Sequence, residues 1–268
     1  MSPVEIKKDR IDLTKYIFHF THRNELLSSF EVLKSIVSDG VLKSGWAERN
    51  FKRTVFGTKP AVCFSESPLY AHLDYVIKRN YKDKVDFYGI AFLKADMFNK
   101  FKARPIIYGM STYKEEKIHP SAEYYFIDGL PDEEQYRYML SAINEKNDWT
   151  HEREWRWCDL EDKSKLFGLP VWKNSNYDEM FDSDDYFLFD QIIIVVRSMG
   201  EAEMLLAVFA TKVDKTVHNL RNVKNTWIYV LPDDSIKLCA TSSDYLRIDD
   251  IVVNTDAISV RQHLGLEL

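Results

Sequence analysis

Short β-prone segments recur along this chain of 268 residues, and helical patterns separate only some of them. Aromatic or β-branched runs bounded by glycine, proline or polar residues predict strands. Segments of this kind are Tyr16–Thr21, Ala61–Ser65, Phe87–Leu93, Pro105–Gly109, Trp155–Cys158 and Ile192–Val196. A doubly wound parallel sheet would instead place a helix after nearly every strand. The irregular order predicts an α+β fold with a split, mixed sheet of short strands and peripheral helices.

Apolar residues at helical spacing predict the helices between these strands. Asn24 is expected to cap a helix that contains Leu26 and Leu27 and that ends at Gly40. Further helices are predicted over Leu69–Arg79, Glu133–Ala142 and Gly200–Ala210, and a β-hairpin over Thr226–Leu231 and Ser235–Ala240. We expect residues 1–268 to form a single domain, in which residues 215–268 could form a C-terminal β extension.

Composition and charge exclude several classes of protein. With 45% hydrophobic and 29% charged residues, the chain is of ordinary globular composition. Its net charge of −6 provides no overall attraction to nucleic acid or to anionic lipid. The three cysteines include no CxxC pair, so reduced thiols are expected instead of a zinc knuckle. The N-terminus has no apolar signal region, and the run Ile192–Val196 is too short to span a bilayer. We therefore expect a cytoplasmic protein without a membrane partner.

Common catalytic and nucleotide-binding motifs are missing from the sequence. It contains no GxxxxGK[ST] phosphate loop, no GxGxxG dinucleotide turn and no GxSxG nucleophile elbow. His151 and Glu152 are not followed by the second histidine of a zinc metalloprotease helix. No metal site is predicted.

Polar clusters at the ends of predicted strands are the remaining candidate sites. They are Phe18–Asn24 (FHFTHRN), Cys63–Leu69 (CFSESPL) and His151–Trp157 (HEREWRW). The first could satisfy a helix N-terminus or could bind an anionic ligand there. The second could be a simple Ser-Pro turn. In the third, Glu152 and Glu154 are expected to share one face of a strand, either as ion-paired surface residues or as a functional carboxylate pair.

Together these clusters resemble those of the AbiGi abortive phage resistance family. The resemblance covers residues 16 to 200 approximately, in the segments Phe18–Thr21, Cys63–Pro68, Pro105–Tyr108 and Glu152–Arg156. The EREWR segment is the most specific of these, whereas Ser65-Glu66-Ser67 departs from the more acidic family pattern. The layout also resembles the ADP-ribosyltransferase superfamily, including its DNA-modifying toxins.

The second resemblance implies an ADP-ribosyltransferase-like fold that binds NAD without a Rossmann turn. It assigns the NAD contacts to His19, Thr21 and His22, places Ser65 near the nicotinamide ribose, and matches Glu152 and Glu154 to a Glu-x-Glu pair with Glu154 as the catalytic carboxylate. Phe64, Tyr70 and Tyr108 are candidates for stacking on nicotinamide. The basic segment Gly45–Thr58 could form a mobile lid in which Arg53 or Arg49 pairs with the pyrophosphate, or it could be a solvated basic loop.

The resemblances imply an NAD-dependent effector or toxin of bacterial phage defence, regulated by a trigger or cognate antitoxin. It would transfer ADP-ribose to protein, DNA or RNA, or act as an NAD glycohydrolase. One alternative is a catalytically degenerate, nucleotide-sensing or partner-binding regulator. Another is a nuclease toxin that uses His19, His22 and Glu154, with Arg156 as a phosphate clamp.

Overall fold

A computed structural model of the chain describes residues 13–49, 52–78, 85–110, 113–119, 122–140, 150–160, 168–172, 188–212, 217–231 and 257–266. The strands are β1 (Tyr16–His22), β2 (Val41–Lys43), β3 (Glu48–Arg49), β4 (Lys52–Arg53), β5 (Val62–Ser65), β6 (Val85–Leu93), β7 (Arg104–Pro105), β8 (Ile107–Gly109), β9 (Tyr113–His119), β10 (Ala122–Ile127), β11 (Tyr138–Leu140), β12 (Glu154–Trp157), β13 (Gly168–Pro170), β14 (Ile192–Val196), β15 (Thr226–Val230) and β16 (Ala257–Ser259). The α-helices are α1 (Ser29–Asp39), α2 (Leu69–Lys78), α3 (Lys94–Asn99), α4 (Met199–Lys212), α5 (Val217–Lys224) and α6 (Val260–His263). Turns of 3-10 helix cover Asp132–Arg137 and Thr150–Glu152.

The main sheet has eight strands in the order β16-β15-β14-β6-β1-β5-β12-β7. Its β14–β15 pair is parallel, and its other pairs are antiparallel. This mostly antiparallel sheet, combined with helices, confirms the predicted α+β class. The C-terminal strands β15 and β16 belong to the main sheet. Within the described residues, no helix has the length and apolar character needed to cross a membrane.

Helices pack on both faces of the main sheet. Because side chains alternate along a strand, neighbouring residues of β1 enter opposite cores. Ile17 packs in a core with residues of α1 and α4, whereas Phe18 packs in a second core with residues of α2. The central strands are therefore buried on both sides, and β14 is apolar throughout for this reason.

Helix α1 begins later than the sequence pattern predicted. Ser28 is its N-cap, and Ser28 and Glu31 bond reciprocally in a capping box. The Asn24 side chain instead accepts bonds from the amides of Leu26 and Leu27, each at 2.8 Å, and so closes a local turn. Leu26 and Leu27 are 91% and 38% exposed and precede the helix. They are therefore not part of its buried stripe, contrary to the expectation. The end of the helix at Gly40 is confirmed.

The prediction of a helix over Glu133–Ala142 was wrong. A 3-10 turn covers Asp132–Arg137, and β11 then pairs in parallel with β8. The Gln135 side chain holds this turn, because it bonds both the amide and the carbonyl of Ile127 at 2.7 and 3.0 Å. Long-range pairing thus outweighs the local helical pattern. The predicted strand Pro105–Gly109 is also divided, since β7 pairs with β12 and β8 with β11. The predicted strand Ser235–Ala240 lies outside the described residues.

Candidate functional site

A cavity lies where two central strands of the main sheet separate. β1 and β5 are in register at one residue pair, Phe18 opposite Ser65, whereas β1 continues along β6 to its end. Beyond that pair the His19 imidazole spans the gap, with Nδ1 2.9 Å from the carbonyl oxygen of Cys63. The cavity beside this gap has a volume of about 890 Å³, which falls in the usual range for small-molecule sites.

The cavity wall contains most of the site residues that the sequence suggested. It is formed by Phe18, His19, Phe20, Thr21, His22, Val32, Ala47, Thr54, Cys63, Phe64, Ser65, Ser67, Ala71, His72, Asp74, Tyr75, Lys78, Glu152 and Glu154. β1, β5 and the start of β12 thus converge on one cleft, as the sequence predicted. Arg53, Tyr70 and Tyr108 are described residues that do not line this cavity. The Arg53 guanidinium lies over the rings of Trp46 and Tyr125, at 4.4 and 5.5 Å from their centroids.

His19 is held in one tautomer by its hydrogen bond. A carbonyl oxygen can only accept, so Nδ1 carries the proton and Nε2 retains a lone pair. Burial lowers the pKa of His19 to about 4, although the bond to the Cys63 carbonyl acts in the opposite direction. The imidazole is therefore neutral near pH 7 and can accept a hydrogen bond from a ligand hydroxyl or amine.

His72 is a second neutral imidazole in the wall, and the sequence analysis did not single it out. It stacks on Phe20 with ring centroids 3.3 Å apart, and its Nε2 lies 2.9 Å from the carbonyl oxygen of Asp86. Burial lowers its pKa to about 3. His72 follows Leu69 by three residues and precedes Leu73 by one, so helical spacing places it beside the buried stripe of α2. This spacing was the sequence signal that could have identified it.

These two histidines predict a stability that falls at acidic pH. Their folded-state pKa values are depressed, so between pH 6.5 and about 4 the unfolded chain binds more protons and the free energy of unfolding falls as the pH is lowered. Each group contributes up to about 1.4 kcal/mol per pH unit in that range. Urea unfolding of wild type and His72→Gln at pH 7, 6 and 5 measures this. The variant should lose less stability than wild type on acidification. Equal losses would contradict the assignment, and His263→Gln at an exposed position of α6 controls for the substitution itself.

Hydroxyl groups in the wall have structural partners. The Thr21 side chain is 1% exposed, and its hydroxyl donates to the carbonyl oxygen of Ser29 at 2.9 Å. The Ser65 hydroxyl donates to the carbonyl oxygen of Glu152 at 2.7 Å and accepts from the Ser67 amide at 3.1 Å. Ser65 therefore joins the end of β5 to the turn before β12, which positions the two glutamates against β5.

Glu152 and Glu154 do not share a strand face, contrary to the sequence prediction. Glu152 ends a 3-10 turn, Arg153 has a left-handed φ of 44°, and β12 begins at Glu154. The Glu66 amide donates to the Arg153 carbonyl at 3.0 Å and holds this bend. Both glutamates nevertheless line the same cavity, one on each side of the bend at Arg153.

Glu154 forms a buried ion pair with Arg156. The two side chains are 7% and 0% exposed, and Arg156 Nε donates to Glu154 Oε1 at 2.8 Å. Among the described residues, Glu154 Oε2 has no hydrogen-bond partner. Arg156 is not a cavity-lining residue, so the structure contradicts its assignment as a phosphate clamp.

The segment Gly45–Thr58 is more structured than a solvated loop. It contains the short β3–β4 pair, and backbone bridges join Gly45 to Ala61 and Gly57 to Tyr125. Val55 and Phe56 are buried, and Ala47 and Thr54 contribute to the cavity wall. The Arg49 side chain lies outside the described part of the chain.

Comparisons of the chain with models of protein families, with characterised proteins and with solved structures give no match.

Proposed function

We propose that the chain is an NAD-dependent ADP-ribosyltransferase-like effector of bacterial phage defence, which transfers ADP-ribose to a macromolecule. The observation that supports this most is the position of Glu154. Glu154 is one of the residues that line a cavity large enough for a substantial part of a dinucleotide, at the point where β12 meets β5. The same wall contains His19, Ser65 and Glu152, as the resemblance to ADP-ribosyltransferases requires.

The reaction that fits these residues breaks the bond between ribose and nicotinamide. The electron pair of that bond leaves with the nicotinamide nitrogen, and positive charge develops on the ribose carbon, as in glycoside hydrolysis. The Glu154 carboxylate would stabilise that charge more in the transition state than in the bound substrate. An acceptor nucleophile then bonds to the ribose carbon and loses its proton, for which Glu152 is the available carboxylate in the wall.

The proposal assumes that the main sheet is the split sheet of the ADP-ribosyltransferase superfamily. The separation of β1 from β5 supports it, because the gap opens next to the predicted NAD residues. The neutral His19 would accept a hydrogen bond from a ribose hydroxyl through Nε2. A trigger or cognate antitoxin would regulate such an effector.

A second candidate is a nucleotide-binding regulator without catalytic activity. It is favoured by the bond that Arg156 makes to Glu154 Oε1 and by the structural bonds of the Thr21 hydroxyl. Incubation of the protein with labelled NAD and cell extract distinguishes the two. Label transferred to protein or nucleic acid, or released as ADP-ribose, supports the enzyme. NAD binding without label transfer or release supports the regulator, and absence of binding contradicts both.

Cys63 provides a direct test of cavity occupancy. It is a half-buried thiol in the wall, whereas Cys158 is 7% exposed and does not line the cavity. We expect saturating NAD to slow iodoacetamide alkylation of Cys63 several-fold, because a bound ligand blocks the approach of the reagent. Alkylation of Cys158 should not change. Peptide mass spectrometry in a Cys239→Ser background measures both rates, and unprotected Cys63 would contradict NAD binding in this cavity.

A further inference from the structure

The Arg156 side chain contacts several segments around the candidate site without reaching the cavity. It is fully buried on β12 and pairs across the sheet with Cys63 on one side and Arg104 on the other. Nε bonds the Glu154 carboxylate. Nη1 donates to backbone carbonyl oxygens of Thr54, Tyr136 and Tyr138 at 2.7, 2.8 and 3.2 Å.

These bonds connect the carboxylate to parts of the chain that are distant in sequence. Thr54 belongs to the Gly45–Thr58 segment and is itself in the cavity wall. Tyr136 and Tyr138 lie at the junction of the 3-10 turn with β11. Because a guanidinium group is planar and its donors have fixed directions, its bonds to these carbonyls determine where Nε can meet Glu154.

We propose that Arg156 is the positioning residue of the candidate site, which fixes the Glu154 carboxylate relative to the cavity wall at Thr54. The kinetic consequence of this role rests on the proposed function. Its structural consequence, the fixed orientation of the Glu154 carboxylate, does not. Arg156 holds one carboxylate oxygen, so the rotation of Glu154 is restricted, and Oε2 is buried without a hydrogen-bond partner among the described residues. A buried ion pair often adds little net stability to a fold, because the cost of desolvating both charges offsets their attraction. Positioning of the carboxylate is therefore the role that we assign to this pair.

The kinetic test compares Arg156→Lys with Arg104→Lys. Lysine keeps the charge but cannot bond Glu154 and the carbonyl groups in the same geometry. We expect kcat for NAD cleavage to fall about 100-fold with little change in KM, as for a misplaced catalytic group. Arg104 is the matched control, because it also donates to backbone carbonyls, those of Phe98 and Ala103, and is the cross-strand neighbour of Arg156. Arg104→Lys should leave kcat unchanged.

Combining Arg156→Lys with Glu154→Gln in one protein tests whether Arg156 acts through Glu154. If Arg156 acts through Glu154, the double variant Glu154→Gln/Arg156→Lys should turn over no more slowly than Glu154→Gln alone. Fully multiplicative losses, or a wild-type kcat in a folded Arg156→Lys variant, would overturn the positioning role.

A spectroscopic measurement decides the structural part independently of activity. The Arg156 Nε–H resonance in wild type, assigned through its bonds to the Arg156 side chain in isotope-labelled protein, should shift and exchange faster with water in Glu154→Gln, because its charged acceptor is removed. An unchanged resonance would overturn the proposal even if Arg156→Lys failed to fold. If wild type does not turn over NAD, the proposed function fails, while this resonance still determines whether Arg156 holds the carboxylate.

Discussion

Glu154→Gln is expected to lower NAD turnover about 100- to 1,000-fold with little change in NAD affinity, and to lower the free energy of unfolding, because the buried Arg156 loses its charged partner. Glutamine retains the shape of the side chain but removes the negative charge that would stabilise the developing positive charge on the ribose. Single electrostatic groups of this kind contribute about 2.7 to 4 kcal/mol to transition-state stabilisation in other enzymes. Release of labelled nicotinamide measures turnover, and isothermal titration with NAD measures affinity.

Glu152→Gln is the matched comparison for this prediction. Glu152 lines the same cavity and precedes Glu154 by two residues, but it lies in the turn before β12 and is more exposed than Glu154. Its loss should reduce transfer to the acceptor more than cleavage of NAD. Full NAD turnover in a folded Glu154→Gln variant would eliminate the catalytic assignment, and the regulator would then be the better account of this site.

Gly40→Ala is expected to destabilise the fold by about 3 kcal/mol. Gly40 has a φ of +73°, a left-handed conformation that costs an L-residue about 1 to 2 kcal/mol. A Cβ atom there would also lie 1.8 Å from the carbonyl oxygen of Trp172. The backbone cannot easily retreat, because the Gly40 carbonyl accepts bonds from the amides of Val171 and Trp172. A steric clash of this kind adds about 1 to 3 kcal/mol.

Gly129→Ala separates these two contributions. Gly129 has a similar φ of +75°, but a Cβ atom there would meet nothing within 4 Å. Its variant should therefore lose only about 1 to 2 kcal/mol, from backbone conformation alone. Urea unfolding of both variants measures the difference. Equal losses would show that the contact with Trp172 relaxes at little cost.

Much of the fold was predictable because local patterns and tertiary context agree there. The apolar run Ile192–Val196 is a strand because both of its faces are covered. α2 matches its periodicity, and Gly40 ends α1 in the conformation that favours glycine. The errors arose where a distant partner decides the structure. The Tyr138–Leu140 segment is a strand because β8 is available to pair with it.

The candidate site shows the same division. The proximity of His19, Ser65 and Glu154 followed from the expectation that their strands converge, and all three line the cavity. The bend between Glu152 and Glu154 was not predictable from spacing, because it depends on the Arg153 backbone conformation and on the bond from Glu66. The burial of Arg156 was equally hidden, since its partners are carbonyl groups that carry no sequence signal.

The separation of β1 from β5 has a consequence for how this protein could diversify. The cavity arises from the path of two backbone strands, and consecutive residues of both strands line it. Exchanging residues at those positions changes what the space can accept, while the hydrogen bonds between β1 and β6 that hold the sheet together remain in place. Exchange costs the fold least at wall positions outside the core, because Phe18 packs in the second core and the Thr21 hydroxyl bonds the carbonyl oxygen of Ser29.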